Sequence, residues 1–154
     1  MDSIAAKLDE LGITLPAPLA PVAAYVPAVE VGGFLYVSGQ VSFADGKFIT
    51  GRLGETVSLD EGIAAARACG LLLLAQAKAA LGSLDRVERV VKLGAFIAST
   101  NDFTDQPKVA NGASELMVAA FGEAGRHTRS AVGVPVLPLG VALEIDAVFA
   151  IRTA

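Results

Sequence analysis

This chain is poor in the residues on which much binding and catalytic chemistry depends. Of its 154 residues, one is cysteine and one is histidine. A lone Cys69 excludes an intrachain disulfide and any cysteine-based metal cluster. A lone His127 excludes a paired-histidine metal site and the paired imidazoles of acid–base RNA cleavage. Basic charge is scarce and scattered: 12 Lys and Arg against 16 Asp and Glu give a net charge of −4. With a pI near 4.9 there is no electrostatic footprint for phosphate backbones, so no nucleic-acid partner is expected. Neither a glycine-rich phosphate loop nor a zinc-ligand spacing occurs, so no metal is expected. A membrane partner is not expected either. The most apolar stretch, Ile63–Leu81, is interrupted by Arg67, Gln76 and Lys78, whereas a spanning helix needs about 20 residues nearly free of charge. The N-terminus opens on an acid, Asp2, and lacks the basic-then-apolar order of a signal peptide. The cytoplasm is the expected compartment.

What is abundant is apolar surface. Apolar residues make up 53% of the chain and mean hydropathy is +0.57, where about 45–50% apolar is usual even with glycine counted. The length suits one domain, so the excess points to burial between copies of the chain, a homo-oligomer. Residues 1–20 read as an N-terminal helix and a proline-rich arm, and residues 21–154 as one domain. The helix covers residues 2–11, with Ile4, Leu8 and Leu11 on one face and Gly12 as its stop. "TLPAPLAPVAAYVP" then has four prolines in fourteen residues, an extended arm rather than a helix or central strand. "AVEVGGFLYVSGQVSF" reads as a hairpin about Gly32-Gly33, and residues 44–57 as a loop. A helix over 59–81 starts at a Ser58/Glu61 capping box and stops at Gly82. A strand over 87–99, a helix over 106–121, and strands over 129–135 and 141–151 complete the order ββαβαββ. That order suggests an α+β layer, both main helices on one face of a mixed sheet and another subunit on the other.

Two local patterns carry candidate chemistry. In "VALEIDAVFAI", alternation puts Glu144 and Asp146 together on one face of an otherwise apolar strand. Carboxylates there need a partner, and an arginine on the preceding strand is the obvious one. A structural ion pair and a solvent-facing strand remain open as well. Arg129 reads equally as a solvated strand cap or as a clamp that grips a carboxylate with two parallel hydrogen bonds. His127 reads as a loop residue without catalytic role, Cys69 as a small core residue, and Gly39 in "SGQV" as a point where backbone approaches a ligand closely.

Taken together, "AAYVPAVEVGGFLYVSGQV", "NDF" and above all "TRSAVGVPVLPLGVALEIDAVF" resemble the RidA/YjgF family, also called L-PSP endoribonuclease-like, over about residues 21–152. The resemblance implies a chorismate mutase-like fold, a homotrimer and ligand clefts between subunits. It also implies hydrolysis of small reactive 2-imino acids to 2-keto acids and ammonia, without cofactor or metal. Carried over by position, Arg129 binds the substrate carboxylate and Glu144 positions the attacking water. Tyr25, Gly39, Asn111 and the backbone at Ala131 complete the pocket. His127-Thr128 and Ala131 depart from the proline, small residue and cysteine that many deaminase members carry around this arginine. Two alternatives accompany this reading: a non-enzymatic trimer binding small carboxylates or keto acids, and the endoribonuclease of the family's older name. The acidic charge and lone histidine speak against the latter.

Overall fold

A computed structural model describes residues 3–154. The chain runs α1 (Ile4–Glu10), β1 (Ala28–Val31), β2 (Phe34–Val41), β3 (Phe43–Ala44), β4 (Lys47–Phe48), α2 (Leu59–Leu81), β5 (Val87–Ala98), α3 (Gln106–Phe121), β6 (Thr128–Val134) and β7 (Leu143–Ile151). The order matches the expected ββαβαββ with one addition. Asp45 and Gly46, at φ of 53° and 78°, make a tight turn that folds part of the expected 44–57 loop into the small β3–β4 hairpin. Asp2, where the first helix was expected to begin, lies outside the described residues; from Ser3 on, that helix forms and buries Leu8 in the core.

Local signals explain the rest. Ser58 Oγ accepts the Glu61 N–H at 3.1 Å, Glu61 Oε1 accepts the Ser58 N–H at 3.3 Å, and Gly82 ends α2 at φ 81°. By length and composition α2 could cross a membrane, but 61% of its most apolar window is buried inside the domain. It is a core helix, packed with α3 on one face of the sheet. The two helices approach so closely that a Cβ on Gly112 would overlap the Ile63 carbonyl oxygen. Gly112→Ala is therefore expected to cost about 1–3 kcal/mol by overpacking, read as a lower urea midpoint with an unchanged slope.

The main sheet has the order β1-β2-β7-β5-β6; β5 and β6 pair in parallel and the other neighbours are antiparallel. Leu35, Val37, Leu93, Ala95, Leu143, Ile145 and Phe149 point to the helices and are buried. Among the described residues, no helix or second sheet covers the other face in the single chain. That face presents Val29, Val31, Phe34, Tyr36 and Val132, each 39–56% exposed.

Candidate functional site

Glu144 alternates with buried Leu143 and Ile145 on β7, so its side chain points to the uncovered face. Room for it comes from β2. Val37 pairs with Ala147 and Gln40 with Ile145, leaving Ser38 and Gly39 as a bulge opposite Asp146. A Cβ on Gly39 would stand 2.9 Å from the Glu144 Cγ and Cδ atoms, so glycine is what admits the acid. Glu144, Asp146, Gly39 and Tyr25 line one cavity of about 580 Å³. The Glu144 side chain makes no hydrogen bond or ion pair among the described residues. Its partial burial, and secondarily the charge of Asp146, hold its carboxyl above the usual carboxylate range. That is the environment of a proton acceptor placed toward neutral pH.

Arg129 occupies a different place. Its Nη1 donates to Asn111 Oδ1 at 2.9 Å and Ser114 Oγ at 3.1 Å, and its Nη2 to the Pro107 carbonyl at 3.2 Å. All three partners belong to α3. A guanidinium carries five N–H donors, so two are left for an anion. Ser114, which the sequence did not single out, and His127, which it offered as a loop residue without catalytic role, hold this group. His127 Nδ1 lies 2.6 Å from the Gly125 carbonyl, which can only accept, and Nε2 lies 2.8 Å from Ser114 Oγ. Ser114 thus gives its proton to Nε2 and its lone pairs to Arg129. Burial and then the Arg129 charge lower the His127 pKa, against the opposing pull of the Gly125 hydrogen bond, and keep the ring neutral. A cavity of about 390 Å³ lies beside these residues.

The expected pairing of Glu144 or Asp146 with an arginine on the preceding strand does not occur. Strand order and register explain why. β5 lies between β6 and β7. Leu93 faces both Arg129 and Ala147 across the ladders, whereas Phe96 faces both Glu144 and Val132. Cross-strand partners share a face, so Arg129 and Ala131 lie on the helix side of the sheet and Glu144 on the other. The expected site residues therefore form two groups: Tyr25, Gly39 and Glu144 line one cavity, while Arg129 lines another and is held by Asn111, with Ala131 on the edge strand β6 following Arg129. Cys69 is fully buried, its Sγ 3.8 Å from the Leu143 carbonyl, and burial raises its thiol pKa far above the range in which it ionises.

The proline-rich arm belongs to the first group. Residues 19–23, Tyr25 and Pro27 wall the Glu144 cavity.

The YjgF/chorismate mutase-like family matches residues 5–151. Protein TCP17 of Trypanosoma cruzi is 54% identical over 146 residues, covering 94% of this chain and 91% of its own. The crystal structure of Atu1372 from Agrobacterium tumefaciens is 45% identical, with a TM-score of 0.89 and coverage of 97% and 92%. E. coli TdcF, solved with bound serine, is 25% identical with a TM-score of 0.64 and coverage of 89% and 94%. The chain belongs to the YjgF/RidA family and has its chorismate mutase-like fold.

Proposed function

We propose that this protein hydrolyses 2-imino acids to 2-oxo acids and ammonia, in a site that two copies of the chain assemble. The observation that carries the proposal is the separation of Arg129 from Glu144 on opposite faces of one sheet, each with unspent bonding capacity. Neither half suffices alone, and the uncovered apolar face of the sheet gives a second copy a surface to pack on. A cyclic homotrimer, with a mass three times the 15.7 kDa of the chain, places one copy's β6 and α3 against the next copy's Glu144 cavity. TdcF binds serine, itself a small 2-amino carboxylate, which fits a carboxylate-gripping pocket in this family.

The chemistry follows from the two halves. Arg129 takes the substrate carboxylate on its two remaining donors, beside backbone N–H groups of the edge strand near Ala131, and fixes the adjacent C=N carbon. Glu144 accepts a proton as water adds to that carbon, giving a carbinolamine. That proton passes to the nitrogen; then the hydroxyl proton is carried by Glu144 to the same nitrogen as the C=O bond forms and the C–N bond breaks, and ammonia leaves. One water is consumed and nothing is oxidised or reduced. The test uses 2-iminobutanoate generated by threonine dehydratase, with semicarbazide trapping the surviving imine. Purified protein should lower semicarbazone formation in proportion to its concentration; no change at micromolar protein would sink the proposal for that imine.

The anchoring of Arg129 yields a finer expectation. Ser114→Ala should weaken binding of 2-oxobutanoate about tenfold, since a hydrogen bond to a charged group is worth roughly 1.5 kcal/mol or more. It should change kcat less than KM, and Ser114→Thr should restore most of the loss. Calorimetric titration reads the affinity directly.

A further inference from the structure

The two buried glutamines of this protein serve one purpose. Gln76 is 3% exposed in the middle of α2 and Gln40 is 6% exposed on β2. Gln76 Nε2 donates to the Leu19 carbonyl at 2.7 Å and to Gln40 Oε1 at 3.3 Å, and Gln40 Nε2 donates to the Ser38 carbonyl at 3.0 Å. At the other end of the arm, Ser38 Oγ donates to the Val26 carbonyl at 2.8 Å and the Ser38 N–H to the Pro27 carbonyl at 2.9 Å. Residues 19–27 are thus a strap, tied at one end to Ser38 in the bulge that admits Glu144 and at the other to Gln76 of α2, which Gln40 links to the same Ser38. Pro21 and Pro27 stiffen it further by fixing φ. Burying amides is costly unless they are hydrogen-bonded, and here both amide nitrogens and the Gln40 oxygen are spent on a network that holds the strap over the cavity.

The wall so held is apolar. Leu19, Pro21, Val22 and Tyr25 face the cavity from the strap, with Phe48 and Leu139 among the residues opposite. Among the described residues, the only charged ones lining it are the two acids, Glu144 and Asp146. In the single chain, before a second copy packs on it, the cavity measures about 580 Å³. We infer that the site selects 2-imino acids with a bulky, neutral, apolar side chain, branched aliphatic or aromatic, and that the strap is the specificity determinant. This inference rests on the imine-hydrolysis reading. The substrate carboxylate goes to Arg129 of one copy, and its side chain lies along the strap of the other. Each additional methylene buried there favours the larger substrate about fourfold. The two acids disfavour a substrate with a second carboxylate.

The experiment compares kcat/KM for 2-imino acids made in situ from alanine, leucine, phenylalanine and aspartate by amino-acid and aspartate oxidases, with semicarbazide as the trap. The expected order puts the leucine- and phenylalanine-derived imines at least tenfold above the alanine-derived one, and the aspartate-derived imine lowest. Val22 is 87% exposed, so Val22→Asp folds, and it should cut the leucine-to-alanine ratio at least tenfold. Hydrolysis of all four imines at similar rates, fastest turnover of the alanine- or aspartate-derived imine, or an unchanged ratio in Val22→Asp overturns the inference while leaving imine hydrolysis standing. No hydrolysis of any imine overturns both.

Discussion

Replacing Arg129 by alanine should lower kcat/KM for any 2-imino acid by about 10²–10³-fold, as truncating one member of a desolvated charge pair does. The effect should fall mainly on substrate capture and orientation, because a substrate held by one carboxylate has no second charged anchor in the Glu144 cavity. Arg129→Lys should not rescue it. An ammonium cannot keep the three α3 acceptors, Asn111 Oδ1, Ser114 Oγ and the Pro107 carbonyl, while offering two parallel donors outward. Those acceptors lie at a partly exposed surface, so the loss should come without unfolding. Steady-state kinetics alongside thermal melting separates the two effects, and Arg129→Ala retaining activity within threefold of the parent would remove this residue from the mechanism.

Glu144→Gln should lower kcat by about 10²–10⁴-fold, the usual contribution of a positioned general base, and its pH dependence carries more information. Glu144 works ionised, so the parent rate should fall as pH drops through its raised pKa, an acid limb above the ordinary carboxylate range. The glutamine variant should lose that limb, and Asp146→Asn should move it down. Stability runs the other way. A carboxyl whose pKa is higher folded than unfolded destabilises the native state above the folded value, and that penalty disappears as pH falls toward the unfolded value. Glu144→Gln should thus melt no lower than the parent at pH 7, with any advantage vanishing in acid. An inactive variant that also melted much lower would mean that Glu144 is structural.

Much of this was legible in the residues. The capping box at Ser58, the alternation in "VALEIDAVFAI" and the stops at Gly12 and Gly82 are local signals, and the structure realises each of them. The β3–β4 hairpin was written in Asp45-Gly46 but lay inside a stretch too polar and glycine-rich to suggest strands. What local pattern could not supply is strand order. Residues 129 and 144 sit on consecutive strands, and only the insertion of β5 between them, in parallel with β6, turns an expected ion pair into two separate half-sites. Gln76 shows the same limit. In sequence it is a polar break in an apolar helix; its meaning appears only when the Leu19 carbonyl, 57 residues away, arrives to accept its proton. Ser114 gave no signal at all, because a serine in a helix is informative only once its neighbours in space are known.

Subunit complementation tests the two-copy site most directly. Arg129→Ala and Glu144→Gln chains, each inactive alone, would be co-expressed in equal amounts and assayed as the assembled mixture. Random assembly through a head-to-tail interface gives roughly one quarter of the sites an intact Arg129 from one copy and an intact Glu144 from its neighbour. Activity should therefore return to about a quarter of the parental value. A mixture no more active than either variant alone would mean that both residues must come from the same chain, and the composite site would be wrong.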